Sequence, residues 1–227
     1  MGSGFSVEIN PTRYNILGLD IGVTVITAYC VSLALLIFGL IVRFVLVPRF
    51  KDQPRKIQNI LELIVESINK FSTNTAGEYG SKLAAYGLTL AFFLVVSGLL
   101  ELITIRVPGT DINFTIAISL MSFIIINVMG LMEKGIWGRI KHYLKPNPII
   151  GFFRLVSDLM IPVSLACRMF GNLLSGLVIM ELVYFAMGNF AVGIPAALSV
   201  FFTLFHVLMQ TYVFLMLTFS FVHEATE

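Results

Sequence analysis

The sequence predicts an all-α polytopic membrane protein, with five transmembrane helices, an amphipathic interfacial helix, and a last pair of helices forming a long tilted hairpin. Three observations carry this. Hydrophobic residues make up 57% of the 227-residue chain, and the mean hydropathy is +0.91, beyond the composition of a soluble domain. The apolar stretches are continuous, not alternating, which argues against a barrel. Inside a bilayer only helices or closed barrels satisfy every backbone polar group.

The elements follow in order. Residues 1–20 are polar, with Pro11 and Gly18 as breakers. Met1-Gly2-Ser3-Gly4-Phe5-Ser6 fits a short myristoylation pattern, but the topology below puts this end outside, on the wrong side for it. Ile21–Val47 is the first span, closed by Pro48 and followed by Arg49, Lys51, Arg55 and Lys56. Pro54 opens the amphipathic helix of residues 54–71. Its Ile57, Ile60, Leu61, Ile64, Ile68 and Phe71 recur at helical spacing, with Glu62, Glu66 and Lys70 between them. Such a helix lies on the membrane surface or packs on a partner. Ser72–Ser81 reads as a polar loop, and Lys82–Ile103 as the second span. Arg106-Val107-Pro108-Gly109-Thr110-Asp111 reads as a tight turn, as its Pro-Gly pair requires. Ile112–Met132 is the third span. The segment Glu133–Pro148 carries Lys134, Arg139, Lys141, Lys145 and the single tryptophan, Trp137. Residues 149–187 form a long fourth span, residues 188–195 break it, and Ala196–Val222 is the fifth.

Lysine and arginine concentrate after the first and third spans. The positive-inside rule then sets the amino terminus outside and the carboxyl terminus in the cytoplasm. The net charge of +2 and the absence of a basic cluster give no footprint for nucleic acid. Cys30 and Cys167 lie in separate apolar runs and read as small apolar residues. Three scattered histidines leave no metal-ligand spacing, so neither a fixed metal nor a cofactor is expected.

The fourth span holds the most informative residue. Arg168 stands in an otherwise apolar run, with Asp158 and Glu181 as its nearest ionisable neighbours. A guanidinium at mid-membrane costs roughly 2.5–3.5 kcal/mol by insertion scales, and arginine cannot shed its proton. At about 100° per residue, Ser157, Ser164, Arg168, Asn172 and Ser175 fall within roughly 40° of one line. Gly171 on the same side admits a close neighbour. The bland alternative is an arginine that snorkels or pairs within its own bundle. As one helix, residues 149–187 span about 58 Å, twice a bilayer core of about 30 Å. The helix therefore bends at Pro162 or lies strongly tilted. Ser199, Thr203, His206 and Gln210 form a second stripe on the last span. Packed antiparallel, the two stripes line an aqueous path.

These residues resemble subunit a of the F-type ATP synthase membrane sector. Pro162-Val163-Ser164-Leu165, Arg168-Met169-Phe170-Gly171-Asn172 and Ser175-Gly176 are similar to that family's arginine-helix signature. Gln210-Thr211-Tyr212-Val213-Phe214 resembles its last-helix motif, and Pro108 to Thr115 the turn between its central spans. The resemblance covers essentially the whole chain. It implies a non-catalytic stator subunit of a bacterial inner-membrane complex, partnered by a ring of c subunits with mid-membrane carboxylates and by peripheral-stalk b subunits. It implies Arg168 as the gate between two ion half-channels, coupling ion flow to ring rotation and ATP synthesis. Asn172 and Gln210 would hold the guanidinium. Asp111, Glu181, Thr203, His206 and Glu101 are candidates for the outer half-channel. Ser157, Asp158 and Ser164 are candidates for the inner one, and Ser175 extends the stripe. The family's pattern usually has Glu or His nine residues after the arginine, and its counterpart seven before the glutamine. Here these positions are Leu177 and Thr203. A neutral polar path suits Na+ as well as H+, and the reading leans to transient Na+. Glu181 and His206 are the nearest ionisable groups, but antiparallel packing separates them.

Two other classes compete. A secondary transporter or channel would use Arg168 to bind an anionic substrate, but such folds often carry internal repeats, and five spans do not divide evenly. A scaffold would use the amphipathic segments for docking and the arginine for structure.

Overall fold

A computed structural model describes residues 13–16, 19–50, 56–103, 107–144, 148–187 and 193–226. Pro11, Gly18, Lys51, Pro54, Arg55, Arg106, Lys145 and most of the break at 188–195 lie outside the described residues. So do the side chains of Trp137, Arg139 and Lys141. Nearly all of the described chain is helical, and five helices are long and apolar enough to cross a membrane.

A short antiparallel pair, β1 (Arg13–Ile16) and β2 (Leu19–Gly22), precedes the first span, with Arg13 opposite Gly22. It holds Ile21 in a strand, so α1 begins at Val23 and runs to Ile41. A π-helical turn, Val42–Leu46, and a 3-10 turn, Val47–Arg49, follow. Pro48 lacks an N–H, and its ring crowds the carbonyl of residue 44. The wider π turn lies where that crowding falls, and Phe50 is extended.

The second helix corrects the loop expected at Ser72–Ser81. α2 runs Lys56–Ala76, and a single 3-10 turn, Gly77–Tyr79, joins it to α3, Gly80–Leu99. The reason is a non-local hydrogen bond. The buried Ser72 hydroxyl donates to the Gly80 carbonyl at 2.6 Å, so polar residues here close a helical corner. Gly77 takes φ +62° in this corner, a conformation suited to glycine. The carboxyl-terminal half of α2 packs on the bundle, with the Phe71 ring 5.5 Å from Tyr212 and 5.9 Å from Phe219. Ile57 and Ile60, expected on the apolar face, are exposed in the isolated chain.

α4 (Ile112–Leu144) is broken at Gly135, where φ is +65°, a conformation that side chains strain to adopt. Its Thr115, Ser119 and Ser122 are fully buried. Each hydroxyl donates to a carbonyl of its own helix, at 2.8–3.1 Å, and Ser122 also bonds Tyr86 at 2.7 Å. Small residues at this spacing let neighbouring helices approach closely.

α5 (Pro148–Met187) is continuous through Pro162, and α6 is Ile194–Thr226. α6 is the hub and touches α2, α3, α4 and α5. Gly87 meets the Phe219 ring and Gly98 meets Val207, so α3 and α6 run antiparallel. The core joins Leu83, Leu90 and Leu94 to Leu165, Met169, Phe214 and Phe219.

The Ser72–Gly80 corner yields a test. A Cβ on Gly80 would lie 2.4 Å from the Ser72 carbonyl oxygen and the Thr73 Cα, both backbone atoms. Gly80→Ala is expected to destabilise the purified protein by about 1–3 kcal/mol, read as a lowered Tm. Gly39→Ala, inside α1 with nothing within 4 Å, is the control and is expected to leave Tm unchanged or raise it, since alanine is the better helix former.

Candidate functional site

The site is built on the two faces of α5. Ile161, Leu165, Met169 and Leu173 recur every four residues and are all under a tenth exposed. They form the apolar ridge by which α5 enters the core beside α4. Residue 168 lies about 100° from residue 169 around the helix. Burying the ridge therefore turns Ser157, Ser164, Arg168 and Ser175 outward, and all four are exposed. Asp158 is half-buried. Ser175 donates to the Gly171 carbonyl at 2.6 Å, within its own helix.

Arg168 has no hydrogen-bond or ion-pair partner among the described residues. Gly171 and Gly176 flank it, with nothing within 4 Å of where a Cβ would stand. The surface around the cation is low and open.

The stripes of α5 and α6 do not close on each other along their length, which corrects the expected path between them. They meet at one point, where Asn172 Nδ2 donates to Gln210 Oε1 at 2.9 Å. The apolar ridge decides this, because α5 cannot turn both the ridge and the polar stripe inward. The two amides thus hold each other, and neither bonds the guanidinium. Gln210 and Thr203 are buried, while His206 is half-buried, its Nε2 buried and without a hydrogen-bond partner among the described residues. Antiparallel register from the Asn172–Gln210 bond puts Gly176 across from His206. Glu181 lies beyond, half-buried, and no ion pair joins it to His206 among the described residues.

The turn between α3 and α4 reaches this region. Val107, Pro108 and Gly109 are buried. A Cβ on Gly109 would meet Leu173 Cδ1 at 2.4 Å and Met169 Cε at 3.3 Å, so glycine lets the turn seat against the arginine helix. Asp111 caps α4, accepting the Asn113 N–H at 3.0 Å, and accepts the Thr24 hydroxyl of α1 at 3.1 Å. Its carboxylate has structural partners on both oxygens. Glu101 follows α3 in a 3-10 turn, half-buried. The Gly98–Val207 contact sets it level with the α6 turn holding Thr203 and His206. Sequence reading missed Thr24 and the seating of Gly109. A threonine early in an apolar span was the only signal for the first, and the second depends on tertiary packing.

The amide pair predicts a stability pattern. Asn172→Leu leaves the buried Gln210 amide unsatisfied and is expected to cost about 1–3 kcal/mol. Asn172→Leu with Gln210→Leu removes both polar groups and is expected to recover most of the lost Tm in detergent. An additive double variant would show that the two amides do not act together.

The chain is similar to known proteins over nearly its full length. A family model described as ATP synthase A chain matches residues 20–223. "ATP synthase subunit a 3" of Pelobacter propionicus is 33% identical over 193 residues, covering 83% of this chain and 82% of that protein. "ATP synthase subunit a 1" of the same organism is 30% identical over 228 residues, covering 98% and 94%. "ATP synthase subunit a" of Sulfurihydrogenibium sp. is 34% identical over 170 residues, covering 73% and 80%. Match length, the spanning helices and the outward arginine on α5 lead to one conclusion: the chain belongs to the ATP synthase A chain family.

Proposed function

We propose that this chain is the stator subunit of a bacterial ATP synthase membrane sector, and that Arg168 is the electrostatic gate between two ion half-channels. The observation carrying the reading is a cation on the outward face of α5, without a partner among the described residues and flanked by open glycines. Burying that cation without a counter-charge is costly, so the face fits a neighbour that brings carboxylates past it. A ring of c subunits with mid-membrane acids is such a neighbour.

The physics is differential attraction. Two unit charges about 4 Å apart attract by about 4 kcal/mol at an effective dielectric of 20. That corresponds to about three pKa units on a passing carboxyl. An acid reaching Arg168 gives up its ion, and an acid leaving takes another. A bound cation cannot pass, because it meets a like charge. Each ion therefore enters from one side, travels with the ring, and leaves on the other. A membrane potential of 100 mV supplies about 2.3 kcal/mol per charge.

With the amino terminus outside, as the loop charges imply, the α3–α4 turn faces outward. Glu101, Thr203 and His206 then lie on the outer side of Gln210 and line that half-channel, with Glu181 beyond. Asp111 shapes its mouth through the cap on α4 and the bond to Thr24. Ser157, Asp158 and Ser164 belong to the inner half-channel. Peripheral-stalk b subunits hold the stator against the ring. Leu177 and Thr203 are neutral where the family's pattern usually has titratable groups, and this favours Na+ as the coupled ion.

Arg168→Ala in the assembled synthase is expected to abolish ion-driven ATP synthesis in proteoliposomes and leave a passive leak. Normal synthesis in that variant would remove the mechanism. Arg168→Lys keeps a charge but loses the planar fork, and coupling is expected to fall well below wild type.

The ion is tested by measuring synthesis driven by an imposed potential at fixed pH, with and without Na+. Sodium coupling predicts a strict Na+ requirement. Full activity in Na+-free medium assigns the path to protons.

A further inference from the structure

A cleft away from the arginine face is open to a ligand of its own. It lies between the cytoplasm-proximal end of α1, the middle of α2 and the middle of α3, with a volume of about 780 Å³. Leu35, Phe38, Leu61, Val65, Leu88 and Phe92 give it apolar walls. Gly39 also lines it, with nothing within 4 Å of where a Cβ would stand.

Two of the charges on its lining are placed apart. Arg43 sits in the π-helical turn after α1 and has no hydrogen-bond or ion-pair partner among the described residues. Glu62 comes from α2 and accepts the Gln58 amide at 2.9 Å, which leaves its charge in place. A third group, Glu66, is neutralised by Lys70 at 2.7 Å. Among the described residues the cleft thus offers one unpaired cation, Arg43, and one anion bonded to an amide, Glu62, on separate walls above an apolar groove.

We propose that this cleft binds a zwitterionic glycerophospholipid of the phosphatidylethanolamine type. Its phosphate meets Arg43, its primary ammonium meets Glu62, and an acyl chain lies along the groove. Three arguments select this occupant. A guanidinium is the side chain best shaped for phosphate oxygens. Glu62 repels a net-anionic head group and rewards an ammonium with N–H donors, which a choline head group lacks. The volume fits a small-molecule site. The site is separate from the proposed gate, since Arg43 and Glu62 are not on the polar stripe of α5. Its failure would leave the Arg168 reading standing.

The intact synthase complex is purified, stripped of loose lipid in detergent, and equilibrated with equimolar phosphatidylethanolamine, phosphatidylcholine and phosphatidylglycerol vesicles. Retained lipid is then measured by mass spectrometry. Wild type is expected to retain phosphatidylethanolamine preferentially. Arg43→Gln is expected to reduce that retention about tenfold, and Arg43→Lys to keep most of it. Glu62→Gln is expected to move the preference toward phosphatidylglycerol. Gly39→Phe, which fills the groove, is expected to lower retention of all three lipids. Equal retention in wild type, Arg43→Gln and Gly39→Phe overturns the proposal. So does a photo-crosslinker at position 39 that captures a helix of another subunit and no lipid.

Discussion

A permanent positive charge that no described residue of its own bundle neutralises is the constraint from which the rest of this structure follows. Arg168 cannot lose its proton, and α5 cannot bury it without giving up Ile161, Leu165, Met169 and Leu173. Four apolar side chains at helical spacing interlock with their neighbours, and in lipid this close packing sets which face of α5 turns inward. The ridge goes in, the charge goes out, and the open glycines beside it keep its surroundings accessible. The helix thereby presents that face outward.

The interior is arranged to hold that orientation firm. α6 stands at the centre and is gripped through close approaches, Gly87 on Phe219 and Gly98 on Val207. On α4, three buried hydroxyls donate their hydrogen bonds to carbonyls of the same helix. They provide small volume without unsatisfied polar atoms, which low-dielectric surroundings would penalise. The α3–α4 turn, cross-linked to α1 by Thr24 and Asp111, seats on the arginine helix through Gly109. Several elements thus converge on a few turns of α5.

Much of this was legible in the sequence because membrane spans are written in continuous apolar runs, and because one arginine within them is conspicuous. The polar stripe is legible as a set of residues at helical spacing on α5. Which way it points was not readable. Two adjacent faces competed, and only packing on α4 decided between them. The helical corner at Ser72–Gly80 was hidden for a related reason. Its polar residues resemble a loop until the Ser72 hydroxyl finds a carbonyl eight positions away. The β1–β2 pair was equally opaque, since four-residue strands leave little periodicity to detect. Asp111 looked like a channel acid, and its bonds to Asn113 and Thr24 appear only once α1 and α4 are side by side.

The Asn172–Gln210 bond carries a mechanical consequence. Contacts between apolar side chains resist separation but have little preference for axial register, so two helices held by them alone can slip. A directional bond between two amides, that of Gln210 buried, opposes that shear. Any partner that binds and then releases the cation four residues away drags α5 lengthwise or sideways at each step. The amide bridge transfers that load to α6, the element anchored by most of its neighbours, and lets the stationary side recoil as one rigid piece.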